Sequence, residues 1–174
     1  VDKKINGKTV PLSFKLNYPG EGGGSEMVLI IKDAMKSAGV ELIPNPMDFN
    51  TLYKNASDHT FDAMLGGWFA GSTYSDPTQL WSTESWTNKG SNFTGFGNAY
   101  SDSLLMAVNT TLDPEGHLEA YRKFQKLVYD EQPYIFLYSG MMPAVVHKRF
   151  ENTEFYRAKP NLDVGGLRLK TTLP

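Results

Sequence analysis

The sequence predicts an α/β fold: a mixed sheet with mainly parallel β-α-β connections, flanked by helices. Three observations carry this. Leu12, Phe14, Leu16 and Tyr18 alternate with polar residues, the period of a half-buried strand. Val28, Ile31, Met35 and Ala38 then recur at helical spacing, and the short run Val40-Glu-Leu-Ile43 reads as a second strand. A further helix and the run Phe61-Asp-Ala-Met-Leu-Gly66 complete a strand-helix-strand-helix-strand order, which builds parallel neighbours through right-handed crossovers.

Each element has its own punctuation. Pro19-Gly20 and Gly22-Gly23-Gly24 make a flexible loop after the first strand; Ser25 is a fitting N-cap and Glu26 suits the positive end of the helix. Gly39 closes that helix as a C′ residue. Pro44 and Pro46 are expected to stop the second strand, and Asp48 to cap a short helix holding Phe49, Leu52 and Tyr53. After the 61–66 strand, Asp76 is expected to cap a helix with Pro77 in its first turn and Leu80 and Trp81 inside it. Residues 87–100, rich in Asn, Gly, Ser and Thr, read as an ordered surface loop. Ser101 is the expected cap of a helix carrying Leu104, Leu105 and Val108. Asp113-Pro114 starts the longest helix, with an apolar stripe at Leu118, Tyr121, Phe124 and Val128. Pro133 ends it, and Tyr134–Tyr138 reads as another strand; beyond Val145 the pattern weakens.

Composition narrows the function. A chain of 174 residues can build one domain with a core. Its 17 basic and 19 acidic residues give a net charge of −2 and form no basic run, which argues against a nucleic-acid partner. No apolar stretch approaches the ~20 residues of a membrane span. The absence of cysteine excludes disulfides and thiolate metal sites.

Catalytic constellations are missing. Gly22-Gly23-Gly24-Ser25 precedes a helix as a phosphate cradle would, but lacks the Lys-Ser/Thr of a P-loop. His59, His117 and His147 are scattered without metal-ligand spacing. Asp113 and Glu115 are explained by a helix start, and Ser72 lacks the Gly-x-Ser-x-Gly elbow of an esterase. No enzyme, metal or cofactor is therefore expected. The informative stretch is Phe61-Asp-Ala-Met-Leu-Gly-Gly-Trp-Phe-Ala70, continued by Tyr74-Ser-Asp-Pro-Thr78. A strand there ends at Gly66 and Gly67, which permit another backbone to approach, and ligands of open α/β sheets collect at the carboxyl ends of strands. Trp68, Phe69, Tyr74 and Trp81 flank the glycine pair, with Trp86 further off; most other aromatics, in a chain with 13% Phe, Trp and Tyr, are assigned to the core.

These residues also carry a family likeness. A strand ending in Gly67-Trp68, a polar loop and Asp76-Pro77 resembles the second lobe of extracellular solute-binding proteins of the oligopeptide/dipeptide-binding type, the capture subunits of ABC importers. Val1-Asp-Lys-Lys-Ile-Asn-Gly-Lys-Thr-Val-Pro-Leu-Ser-Phe-Lys-Leu16 resembles the entry to that lobe. Asn92-Phe-Thr-Gly-Phe-Gly-Asn98 with Ser101-Asp-Ser-Leu-Leu105, and Tyr121-Arg-Lys-Phe-Gln125 with Glu131-Gln-Pro-Tyr-Ile-Phe-Leu-Tyr138, resemble later family segments in the family's order.

The resemblance implies one lobe of a type II periplasmic-binding-protein-like fold. Residues 1–145 would form the ligand-binding lobe, and 146–174 a segment returning toward a first lobe that the chain lacks. It implies capture of a peptide between two lobes, delivery to a membrane permease, and an extracytoplasmic location, periplasmic or lipid-anchored. Sugars or metal chelates are the alternative solutes, and an esterase-like enzyme the less favoured reading. Gly67, Trp68, Phe69 and Ala70 would offer main-chain hydrogen bonds to a ligand strand. Thr73, Tyr74, Asp76 and Trp81 would complete the site. Peptide-binding relatives commonly carry an aspartate four residues before the proline, pairing with the ligand's amino terminus; here that position is Thr73. Either a longer loop re-aims the site or the ligand has no amine there.

Overall fold

Two short antiparallel strands, β1 (Asp2–Ile5) and β2 (Lys8–Pro11), lead into the central strand β3 (Ser13–Pro19). The structure, a computed structural model, describes residues 2–5, 8–22, 24–69, 76–141, 143–156 and 161–171. The chain gathers into two units, Val1–Gly67 with Pro77–Glu131, and Trp68–Asp76 with Gln132–Pro174.

In the first unit the chain runs from β3 through α1 (Gly24–Ser37) to β4 (Glu41–Met47), then through α2 (Phe49–Ser57) to β5 (Ala63–Met64). The sheet order is β4-β3-β5, and both pairings are parallel. Leu16, Tyr18, Val28 and Leu42 are buried together, with Phe14, Ile31, Met35, Ala63 and Leu65 packed around them. The strand period of β3 and the helical period of α1 thus meet in one core. Gly39 adopts φ 76°, the left-handed conformation expected just past a helix end.

Several boundaries differ from the sequence expectations. Pro44 and Pro46 do not stop β4, which continues to Met47. Glu41 donates its N–H to the Leu12 carbonyl, so odd-numbered residues of β4 face β3. Pro44 and Pro46 then direct their missing donors to the open edge, where a proline costs no ladder bond. β5 is shorter than the expected 61–66 because the Asp62 carboxylate takes the Lys15 N–H at 3.0 Å in place of a backbone carbonyl. Pairing resumes to Leu65, whose N–H donates to Asn17 at 2.8 Å.

The helical half comprises α3 (Thr78–Trp81), α4 (Thr83–Thr87), α5 (Ala99–Thr110) and α6 (Pro114–Glu131). Asp76 is not the cap of α3; Pro77 holds that position and no side chain bonds there. Asn98, rather than Ser101, caps α5, and Ser101 completes a capping box by accepting the Asn98 N–H at 2.7 Å. Asp113 does start α6, accepting from the Gly116 N–H at 2.8 Å. Phe96, Leu104, Leu105, Val108, Phe124 and Val128 form a second core, with Trp81 and Tyr121 against it. Leu118 falls outside it at 47% exposure, because the buried stripe drifts around the helix.

The expected surface loop is instead a packed one: Ser91, Asn92, Phe93 and Phe96 are all buried. In the second unit, the described strands are β6 (Phe150–Glu151) and β7 (Arg168–Leu169), which pair antiparallel. Tyr134–Tyr138 is not a strand; this apolar run finds no ladder partner among the described residues, and Ile135 and Tyr138 are 78% and 75% exposed.

Candidate functional site

Within the first unit, the carboxyl ends of β3 and β5 meet the start of α1. A Cβ on Gly24 would lie 3.5 Å from the Pro19 carbonyl and 3.8 Å from the Leu65 side chain, which shows how closely the helix start approaches the strand ends. Beyond Leu65 the chain opens. Among the described residues, a Cβ on Gly66 would meet only the Met64 methyl, at 3.7 Å, and one on Gly67 would meet nothing within 4 Å. Packing does not require a glycine at either position. What the pair supplies is bare, accessible backbone.

Trp68 and Phe69 belong to the second unit and are 51% and 59% exposed. Burial pushes the Tyr134 phenol above the usual tyrosine range, and a side-chain hydrogen bond from Trp68 pulls in the opposite direction. The Tyr134 hydroxyl is fully buried. Tyr134 also lies edge-on to Phe136, with ring centroids 6.1 Å apart. Sequence reasoning missed Tyr134 because it sits in an apolar run that reads as a strand.

The other predicted aromatics are held by packing. Trp81 lies edge-on to Phe96 and Phe124, at 5.4 and 6.4 Å, as part of the helical core. Trp86 is stacked on His59 with centroids 3.4 Å apart, while a Cβ on Gly95 would stand 3.4 Å from the indole. Asp76 is exposed. Ala70, Thr73 and Tyr74, like Ser72, lie outside the described residues.

Asn92 was also missed as anything but loop. It is wholly buried, and its amide donates to the carbonyls of Ser82 and Phe96 at 2.9 and 2.8 Å while its oxygen accepts the Phe96 N–H at 3.2 Å. The available signal in the sequence was an asparagine flanked by Phe93 and Phe96.

The carboxylates with shifted equilibria are a surface cap and members of ion pairs. Hydrogen bonds from Thr51 hold Asp48 below the usual carboxylate range, and Lys54, then Lys89, do the same for Asp58. Among the described residues no group of three or more His, Asp or Glu could hold a metal ion, and no helix is long and apolar enough to cross a membrane.

No protein-family model matches the chain. It is 26% identical over 161 residues to the oligopeptide-binding protein AppA of Bacillus subtilis, a match covering 91% of the chain and 28% of AppA. The structure of Bacillus subtilis AppA in complex with a nonapeptide is similar at a TM-score of 0.73 and 22% identity, over 97% of this chain and 33% of that one. OppA of Burkholderia pseudomallei is similar at a TM-score of 0.64 and 23% identity, over 71% of this chain and 24% of that one. NikZ of Campylobacter jejuni, in complex with Ni(L-His), is similar at 0.62 and 17% identity, over 75% and 26%. By sequence the chain is similar to the oligopeptide-binding protein AppA, whose fold it shares, and it spans 28% of the length of AppA.

Proposed function

We propose that this chain is one lobe of an extracytoplasmic solute-binding protein, which captures a peptide between two lobes and passes it to a membrane permease without chemical change. The match to AppA over 91% of the chain carries this reading. The bare backbone at Gly66 and Gly67 supports it locally, since a peptide can add as a strand only where main chain is exposed. The ligand edge would be Gly67, Trp68, Phe69 and Ala70, with Thr73, Tyr74 and Asp76 following. Trp81 would serve from within the helical core. Residues 1–145 would make up the ligand-binding lobe, and residues 146–174 would return toward the other lobe.

A second reading keeps the fold and the transport role but changes the solute. Two observations favour it: Thr73 stands where peptide-binding relatives commonly carry aspartate, and NikZ shares the fold in complex with a metal chelate.

The test is a thermal-shift screen of the full-length protein against di- to pentapeptides, oligosaccharides and metal chelates. A ligand at 100 times its Kd stabilises the native state by about 2.7 kcal/mol, so weak binders register at high concentration. Peptide shifts are expected. Shifts with sugars or chelates alone would favour the second reading. No shift, together with hydrolysis of a chromogenic ester that is lost in Ser72→Ala, would replace both with an enzyme. Thr73→Asp is expected to strengthen binding of amine-bearing peptides; calorimetry showing unchanged or weaker binding would overturn the assignment of Thr73 to the amine position.

A further inference from the structure

A strand at the rim of a sheet presents its outward N–H and C=O groups to any other extended chain, so either edge of the sheet β4-β3-β5 is a place where a strand could add. The two edges are not alike. In a parallel pair the N–H and C=O of one residue point to the same side. Glu41 donates to Leu12, so the groups that β4 turns outward are those of Leu42, Pro44 and Pro46. Three carbonyls thus face the open edge, and proline removes the N–H beside two of them. An incoming strand would find a donor only at Leu42, and its own carbonyls opposite Pro44 and Pro46 would be left without partners.

The rest of β4 offers little defence. Its residues Glu41–Met47 carry one charge, at the first position, and Ile43 is 41% exposed. With valine in place of both prolines, the strand would read as a long, apolar and nearly uncharged edge, the composition that pairs with copies of itself. β5 is the opposite case. Leu65 donates to Asn17, so the groups of Met64 point away from β3, and the chain runs on without a proline into the bare backbone of Gly66 and Gly67.

We propose that Pro44 and Pro46 close the β4 edge to added strands: a second copy of the chain cannot pair there, and a peptide strand is confined to the β5 side. The first half stands on the geometry of β4 alone. The second half rests on the ligand-binding reading of the residues after Met64, and assigns β4 a part in deciding where a peptide can lie.

The test is Pro44→Val with Pro46→Val in the full-length protein, followed by sedimentation velocity over a concentration series. The wild type is expected to stay monomeric, and the valine variant to self-associate at least about tenfold more tightly. Pro44→Ala with Pro46→Ala restores both N–H groups with smaller apolar side chains than proline, so it should associate too if donors rather than apolar surface decide. Far-UV circular dichroism shows which variants keep the fold. Amide exchange read by mass spectrometry locates the contact, and residues 42–47 should gain protection as concentration rises. A folded valine variant that stays monomeric, a folded alanine variant no more associated than the wild type, or protection that avoids residues 42–47 would overturn the proposal. So would a wild type that already pairs through this strand.

The peptide half is read in the wild type, with a pentapeptide that raises its melting temperature. Exchange should slow at residues 64–67 and stay unchanged at 42–47; slowing at 42–47 would overturn this half. If no peptide binds and the valine variant still associates through β4, the ligand reading fails and the guarded edge stands.

Discussion

Asn92→Ala should damage the fold of the first unit far more than its position in a polar loop suggests. The side chain is wholly buried and makes hydrogen bonds with Ser82 and, twice, with Phe96. Truncation leaves two carbonyls and one amide N–H without that partner, in a place that water does not reach. Three net hydrogen bonds at about 1 kcal/mol each, with some cost for the void left by the amide, give an expected loss of about 3–5 kcal/mol. That is a large part of the roughly 5–15 kcal/mol that holds a domain folded.

Asn92→Asp sharpens the test. It preserves shape but sets a carboxylate against the two carbonyls that now accept from the amide, so it should be at least as harmful as alanine. Thr94→Ala, at an exposed position in the same loop, is the control and should stay within about 0.5 kcal/mol. Urea denaturation followed by far-UV circular dichroism measures all three. A loss below about 1 kcal/mol for Asn92→Ala, or tolerance of Asn92→Asp, would refute the view that this amide organises the loop.

Other expectations concern glycine and pH. Gly97 has φ +112°, and a Cβ there would stand 2.9 Å from the Ser101 Oγ that completes the α5 capping box; Gly97→Ala should cost about 2–4 kcal/mol in the same denaturation assay. Gly67→Ala meets open space and should leave stability within about 0.5 kcal/mol, yet weaken peptide binding in calorimetry about three- to tenfold if a ligand strand lies against that backbone. Asp48, Asp58 and Glu119 are held below the usual carboxylate range, so the unfolded chain takes up protons first as pH falls and melting temperature should drop below about pH 4. Tyr134, raised by burial, and Tyr156, raised by its bond to Glu154, act in the opposite range. The unfolded phenols release protons first, stability should fall above about pH 10, and Tyr134→Phe should remove part of that slope.

What was legible in the sequence was whatever has a period. The strand around Phe14 and Leu16, the helix around Val28 and Met35, and the start of α6 at Asp113 follow from spacing and capping alone. What was not legible depends on direction or on a distant partner. Pro44 and Pro46 look like stop signals until the parity of β4 shows that their missing donors face the open edge. The loop around Asn92 looks solvated because its residues are polar, and only the Ser82 and Phe96 carbonyls explain why it is buried. Tyr134–Tyr138 has the composition of a strand, but a strand exists only with a ladder. Trp81 lies close to the glycine pair in sequence, and its ring is held by Phe96 and Phe124.

The same structure explains why the chain can resemble a family without disclosing its ligand. In the stretch Asn92–Asn98, Asn92 braces the loop, Gly95 makes room for Trp86 beneath His59, Gly97 allows the backbone to pass Ser101, and Asn98 caps α5. Each of these residues acts on the scaffold, so their likeness to a family transmits a fold. The glycine pair differs in kind. Among the described residues, nothing fills the space that a side chain on Gly67 would occupy. A residue that packing leaves open is free to answer to a ligand instead. Residues 92–98 therefore speak for the fold, and under the proposed function the solute is to be sought through residues 67–76. A ligand screen on Gly67 and Thr73 variants would consequently say more about function than any substitution in the loop that carries the resemblance.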